Sequence, residues 1–287
     1  MIEIVEVGPR DGLQNEKAVI SVAEKAELIR KCAAAGLSKI EVGAFVNEAR
    51  VPQMAASGEV IGEVGELPGV SGLVLIPNAR RLGEFLKARE AAAFDVPEIA
   101  VFVSATEEFS QANLGCTVTE SLERVLRIFD ALPASGVAVR GYISCVTDCP
   151  FEGHVNPDAV GRLSCALRDA GCDTLALADT IGKGTPERVR PMLDAALEHW
   201  EPSQVVAHFH DTVGLALANV DVALDRGLSR FDSSVAGLGG CPYAPGAPGN
   251  LATEALVMHL EALGHKTGID KVALADAAAY ALKIVGR

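Results

Sequence analysis

The sequence predicts an α/β protein, a single (β/α)8 TIM barrel over residues 1–287 with an extra C-terminal helix or helices. Three observations predict it. Short apolar runs alternate with longer amphipathic stretches along the whole chain. No long linker or low-complexity segment divides them. No Gly-rich nucleotide fingerprint follows an early strand, as an open doubly wound sheet would normally carry. Composition agrees: 49% of residues are hydrophobic but only 5% aromatic. Such a balance suits aliphatic strands and Ala-rich helices.

The expected strands, in order, are 2–8, 38–45, 70–78, 98–105, 138–146, 174–180, 205–212 and 230–239. Each is rich in Val, Ile or Leu, and most end in polar residues or Gly. The clearest helical segments are 22–35, 118–132, 157–170, 187–199 and 215–227. Ser21 with Glu24, and Thr117 with Glu120, have capping-box spacing. Pro157 and Pro186 stand where a first helical turn tolerates proline. Gly36, Gly136 and Gly171 stop helices before the next strand. Residues 249–285 supply the eighth helix and the extra ones.

A net charge of -13 and the absence of any long Lys/Arg run argue against nucleic acid as a partner. An anionic substrate must therefore be met by a local basic cluster. Seven Cys without regular spacing are not a disulfide framework, and free thiols fit a reducing compartment. The first residues run straight into a strand pattern, and no apolar run reaches membrane-spanning length. A cytoplasmic protein with no membrane partner is expected.

Barrel chemistry sits where strands end. His208 and His210 are two apart on an expected strand, so they share a face. Strand 1 runs into Gly8-Pro9-Arg10-Asp11-Gly12, and barrel closure would bring Asp11 beside that histidine pair as a third metal ligand. The alternatives are hydrogen-bonded core histidines and an ordinary surface turn. Glu41 lies inside an apolar strand, where a carboxylate needs a partner. Pairing with Arg10 is at least as good a reading as catalysis. Asp179 ends strand 6 and either serves the site or caps the next helix. Cys241 lies in a Gly/Pro-rich segment, as a reactive loop thiol or an incidental one.

Together these stretches resemble the 3-hydroxy-3-methylglutaryl-CoA lyase family. The resemblance is carried by residues 5–17 (VEVGPRDGLQNEK), 39–45, 51–54, 140–146, 178–186, 208–212 (HFHDT) and 233–254, which contains the long Cys loop. It implies metal ligands at Asp11, His208, His210 and Asn250. It implies a catalytic Arg10 and Cys241, supporting acids at Glu41 and Asp179, and acyl-CoA contacts from Lys17 and Asn113. The family's activity is a retro-Claisen cleavage of an acyl-CoA, and a mixed N/O ligand set without thiolate suits Mg2+ or Mn2+. The base would be Asp179 or a water on the metal, and Asp211 is a candidate for orienting an imidazole. A homodimer or higher homo-oligomer is expected. Two departures bear on the acyl group: Ala44 and Ala176 stand where the family commonly has serine. A lyase for a bulkier 3-alkyl group and a Claisen-condensing synthase are the rival enzymes, and a non-catalytic metal-binding barrel is the rival from another class.

Overall fold

The computed structural model describes residues 2–132, 136–240 and 249–287. Its centre is a closed barrel of eight parallel strands. These are β1 (Glu3–Glu6), β2 (Lys39–Ala44), β3 (Ser71–Leu75), β4 (Glu98–Ser104), β5 (Ala138–Ser144), β6 (Thr174–Asp179), β7 (Val205–Phe209) and β8 (Arg230–Ser233). Each strand pairs with the next, and β8 closes on β1 through Glu3↔Arg230 to Glu6↔Ser233. Closure makes β1, β7 and β8 neighbours, which the metal reading required.

The helices are α1 (Val22–Ala34), α2 (Ser57–Val64), α3 (Ala79–Ala91), α4 (Glu107–Leu114), α5 (Val118–Ala131), α6 (Pro157–Ala170), α7 (Pro186–Leu197), α8 (Ala216–Asp225), α9 (Thr253–Ala262) and α10 (Lys271–Ile284). Both capping boxes form, each satisfying backbone donors that a helix start leaves open. Ser21 N donates to Glu24 Oε2 at 2.8 Å and Thr117 N to Glu120 Oε2 at 2.8 Å. Helices α2, α3 and α4 are not among the clear amphipathic segments of the sequence. Two of them are only eight residues long, and α3 buries just Leu82 and Phe85. Phe85 packs edge-on against Phe45 with ring centroids 5.6 Å apart. A buried aromatic pair covers enough area for a short apolar stripe to dock that helix.

Strand ends differ from the pattern where the rim turns. The apolar run 230–239 yields only four strand residues, because Val235–Gly237 forms a helical turn with Ala236 at φ 57°. Buried Glu6 and partly buried Glu254 accept the N–H groups that this turn exposes. β1 likewise stops at Glu6, and Gly8–Gly12 forms a single π-helical turn.

Charge occupies the barrel interior where aliphatic layers are usual. Arg140, fully buried, donates from Nε to Glu98 and from Nη1 to Asp232, each at 3.0 Å. Lys39 pairs with the other oxygen of Glu98. Two cations thus balance two carboxylates. This is the pairing a buried charge requires, because either partner alone would cost several kcal/mol, about 3–5 kcal/mol when such a pair is broken.

Candidate metal centre and active site

Residues that face the barrel interior alternate along each strand. Ala178, His208 and Asp232 are consecutive partners across β6, β7 and β8, so they form one inward layer. His210 follows one step nearer the rim. Its backbone pairs with Asn250, and Leu251 N donates to Phe209 O at 3.0 Å. The π-helical turn after β1 delivers Asp11 to the same place. His208 Nε2 and His210 Nε2 lie 3.9 and 3.8 Å from Asp11 Oδ2. One donor atom from each of the three falls within 4.8 Å of the others.

That spacing fits a cation. The donors are too far apart to hydrogen-bond one another. Oxygen and nitrogen ligands about 2.0–2.2 Å from a shared octahedral ion stand roughly 3–4 Å apart. Electrostatics agree. Burial alone would raise the Asp11 carboxyl, but Arg10, His208 and His210 outweigh it and hold it well below the usual range. Burial, with His208 beside it, pushes His210 down to about 4. Its imidazole is therefore neutral and able to ligate at neutral pH.

His208 Nδ1 faces Asp232 Oδ2 at 3.1 Å, while His210 Nδ1 is buried without a hydrogen-bond partner among the described residues. Asp232, which sequence reasoning missed, is thereby brought against the histidine pair. The available signal is a carboxylate in an apolar strand beside the histidine strand, the same signal that marks Glu41. Asp211, the sequence candidate for orienting an imidazole, does something else: its Oδ1 accepts Ala216 N at 3.0 Å at the start of α8.

Arg10 is buried, and its guanidinium is held at both ends. Nη1 lies 2.6 Å from Asp11 Oδ1 and Nη2 2.7 Å from Glu41 Oε2. Burial disfavours its charge, but Glu41 and Asp11 more than compensate, so Arg10 stays cationic. Glu41 is fully buried, and burial pushes its carboxyl upward despite Arg10. Asn250 donates its Nδ2 to Asp11 Oδ2 at 2.8 Å and to Leu238 O at 3.0 Å, so it clamps Asp11. Two glycines let that segment close on the rim. A Cβ on Gly249 would lie 2.1 Å from Gly239 O, and one on Gly239 would lie 2.6 Å from Asn250 Nδ2.

Arg10, Asp11, His208 and His210 line a cavity of about 450 Å3. That is within the usual size of a small-molecule site. Asn113 lines it, as do Arg50 and Arg124, which sequence reasoning missed. They give the local basic cluster that an anionic ligand would need in this acidic chain. Lys17 is exposed and is not part of the lining.

Asp179 is not brought to the cavity. It sits one residue past Ala178, which is inward, so its side chain leaves the strand on the opposite face. Thr147 Oγ1 donates to its Oδ1 at 2.7 Å and Gly184 N to its Oδ2 at 2.8 Å. It secures the loop before α7 and is not placed to take a substrate proton. Of the two alanines expected at the acyl group, Ala44 lines the cavity and Ala176 is buried outside its lining. Ser144 lines the cavity and adds a hydroxyl there. Cys241 lies outside the described residues.

Comparison with known proteins matches the arrangement. The HMGL-like family model matches residues 1–280. A Pseudomonas aeruginosa protein described as 3-hydroxy-3-isohexenylglutaryl-CoA/hydroxy-methylglutaryl-CoA lyase is 46% identical over 287 residues, covering 100% of this chain and 93% of that protein. The crystal structure of the HMG-CoA lyase from Brucella melitensis superposes with a TM-score of 0.94 at 44% identity, covering 100% of this chain and 99% of that one. An Acinetobacter baumannii HMG-CoA lyase in complex with coenzyme A and 3-methylmalate has a TM-score of 0.93 at 32% identity, covering 100% of this chain and 92% of that one. The barrel, the rim cluster and these full-length matches place the chain in the HMGL-like family.

Proposed function

We propose that this chain is a carbon–carbon lyase that splits 3-hydroxy-3-methylglutaryl-CoA into acetyl-CoA and acetoacetate. One observation carries the reading: Asp11, His208 and His210 converge beside a buried, doubly held arginine at the mouth of one cavity. The relatives' names support the substrate, and the A. baumannii complex supports a CoA ester. In our reading residues 1–287 form one catalytic domain.

Asp11, His208 and His210 would hold Mg2+ or Mn2+. Asn250, whose amide nitrogen is committed to Asp11 and Leu238, keeps its oxygen as a fourth ligand. The bound ion would acidify and orient the substrate's tertiary hydroxyl. With Asp179 turned away from the cavity, a water there would take that proton, and the C2–C3 bond would then break with its electron pair moving toward the thioester. Arg10 meets the charge that develops on the thioester oxygen. Its guanidinium is already fixed by two carboxylates and needs no reorganisation as the charge appears. A proton must then reach the acetyl-CoA carbanion, and Cys241 is proposed as its donor. Arg50 and Arg124 attract the CoA phosphates. We place the enzyme in the cytoplasm as a homo-oligomer. No helix among the described residues is long and apolar enough to cross a membrane.

The test is direct. Protein stripped with a chelator should release acetoacetate and acetyl-CoA from the thioester only after Mg2+ or Mn2+ is restored. Consumption of acetyl-CoA with a keto acid, and no cleavage, would make it a condensing synthase. If neither reaction occurs, the lyase reading fails.

A further inference from the structure

We infer that Asp232 is the positioning residue that fixes which nitrogen of His208 faces the metal, and that the charged floor of the barrel exists in part to hold it. The inference rests on the metal site proposed above.

The two imidazoles are not equivalent. His208 Nδ1 is 3.1 Å from Asp232 Oδ2, and its Nε2 faces Asp11. An ionised carboxylate can only accept. Opposite it, the ring must carry its proton on Nδ1, which leaves the Nε2 lone pair free for a cation. His210 has no such anchor among the described residues. Asp232 is in turn over-determined. Arg140 Nη1 donates to Oδ1 at 3.0 Å and Tyr142 OH to Oδ2 at 2.6 Å. Arg140 is braced from behind by Glu98 at 3.0 Å, and Glu98 by Lys39. The floor therefore keeps Asp232 charged and immobile beneath the ring. A purely structural ion pair would need only Arg140 and Asp232. The tyrosine and the histidine on the same carboxylate oxygen point to a second task.

The substitution Asp232→Asn keeps the shape but leaves one acceptor oxygen for three donors: Arg140, Tyr142 and His208. The amide nitrogen must then face one of them, and the His208 tautomer is no longer enforced. Carboxylates that orient metal-bound histidines are worth about 10–100-fold in affinity. Mn2+ titration of the metal-free full-length protein, without substrate, should show a loss of that size in Asp232→Asn. Tyr142→Phe should show a smaller loss, and it serves as the test if Asp232→Asn does not fold. The control is Glu98→Gln, which disturbs the same charge network but keeps an acceptor for Arg140 and touches no histidine. It should lower Tm and leave Mn2+ affinity alone. Wild-type affinity in Asp232→Asn and Tyr142→Phe would overturn the inference. So would equal losses in Glu98→Gln, which would make the network merely structural. If His210→Ala binds Mn2+ like the wild type, it is the metal site itself that fails.

Discussion

Replacing Arg10 separates the electrostatic role proposed for it in the reaction from its structural role beside Glu41 and Asp11. The guanidinium sits 2.7 Å from Glu41 and 2.6 Å from Asp11, with little solvent to screen either pair. Arg10→Met removes a fixed donor from the developing enolate, a loss of about 2.7–4 kcal/mol by the precedent of oxyanion donors, or roughly 10²–10³ in kcat. It also strands Glu41, which is fully buried. Breaking such a pair costs about 3–5 kcal/mol of stability. Glu41→Gln removes the stranded charge, so the double variant should recover much of the lost Tm and none of the lost kcat. The assay is acetyl-CoA release at saturating thioester and metal, beside thermal unfolding and Mn2+ titration of each variant. Mn2+ binding must be followed because Asp11 also loses a neighbour. Recovery of turnover in the double variant would refute the reasoning, since Arg10 would then be only a counter-ion for Glu41.

Four further outcomes are expected. Burial raises Glu6 to about 8 in the fold, against an unfolded value near 4.5. The folded state therefore holds the proton more tightly, and this contribution to stability is full below 4.5 and lost as pH rises toward 8. Glu6→Gln should flatten the fall of Tm across that window, and a parallel fall in both proteins would count against it. Gly249→Ala should collapse turnover and metal affinity together, because its Cβ would meet Gly239 O at 2.1 Å; normal Mn2+ titration would show that the rim tolerates it. Arg50→Ala with Arg124→Ala should raise KM for CoA esters several-fold, about 1 kcal/mol for exposed charge pairs, with kcat little changed and the difference shrinking in high salt. Cys241→Ala should slow turnover sharply with thioester affinity preserved, and normal turnover would make the thiol incidental.

The barrel was legible because its signal is periodic and repeated. Seven of the eight strands carry Val, Ile or Leu, and two helices carry capping boxes that form as spaced. The histidine pair was legible because period-two spacing fixes a shared face. Strand ends were not legible. Val235, Leu238 and the residues between them look apolar enough to extend β8, yet a backbone turn there is satisfied by Glu6, 229 positions away from Val235. The role of Asp179 was hidden for a related reason. Its place at a strand end marks it as a rim residue, but which face it takes depends on the parity of its strand. Ala178, not Asp179, is the partner of His208. Parity follows from His208 once the strands are aligned, and that alignment is a property of the closed barrel.

Asp232 and Arg140 show how one rule, applied evenly, would have reached further. Glu41 stands out in the sequence because a carboxylate in an apolar strand must be paired. Glu98, Arg140 and Asp232 are also charges on predicted strands, and pairing them would have joined β4, β5 and β8 through the barrel interior. Such a network cannot come from local contacts, since Arg140 and Asp232 are 92 residues apart. Aliphatic side chains of similar volume would fill the same space at no desolvation cost and often with equal or greater stability. A floor of four charges under a histidine of the proposed metal site is therefore hard to account for by stability. Its Asp232 end reaches His208, and at its Glu98 end the further hydrogen-bond partner among the described residues is Thr174. The asymmetry is what a device for holding one imidazole in one orientation requires.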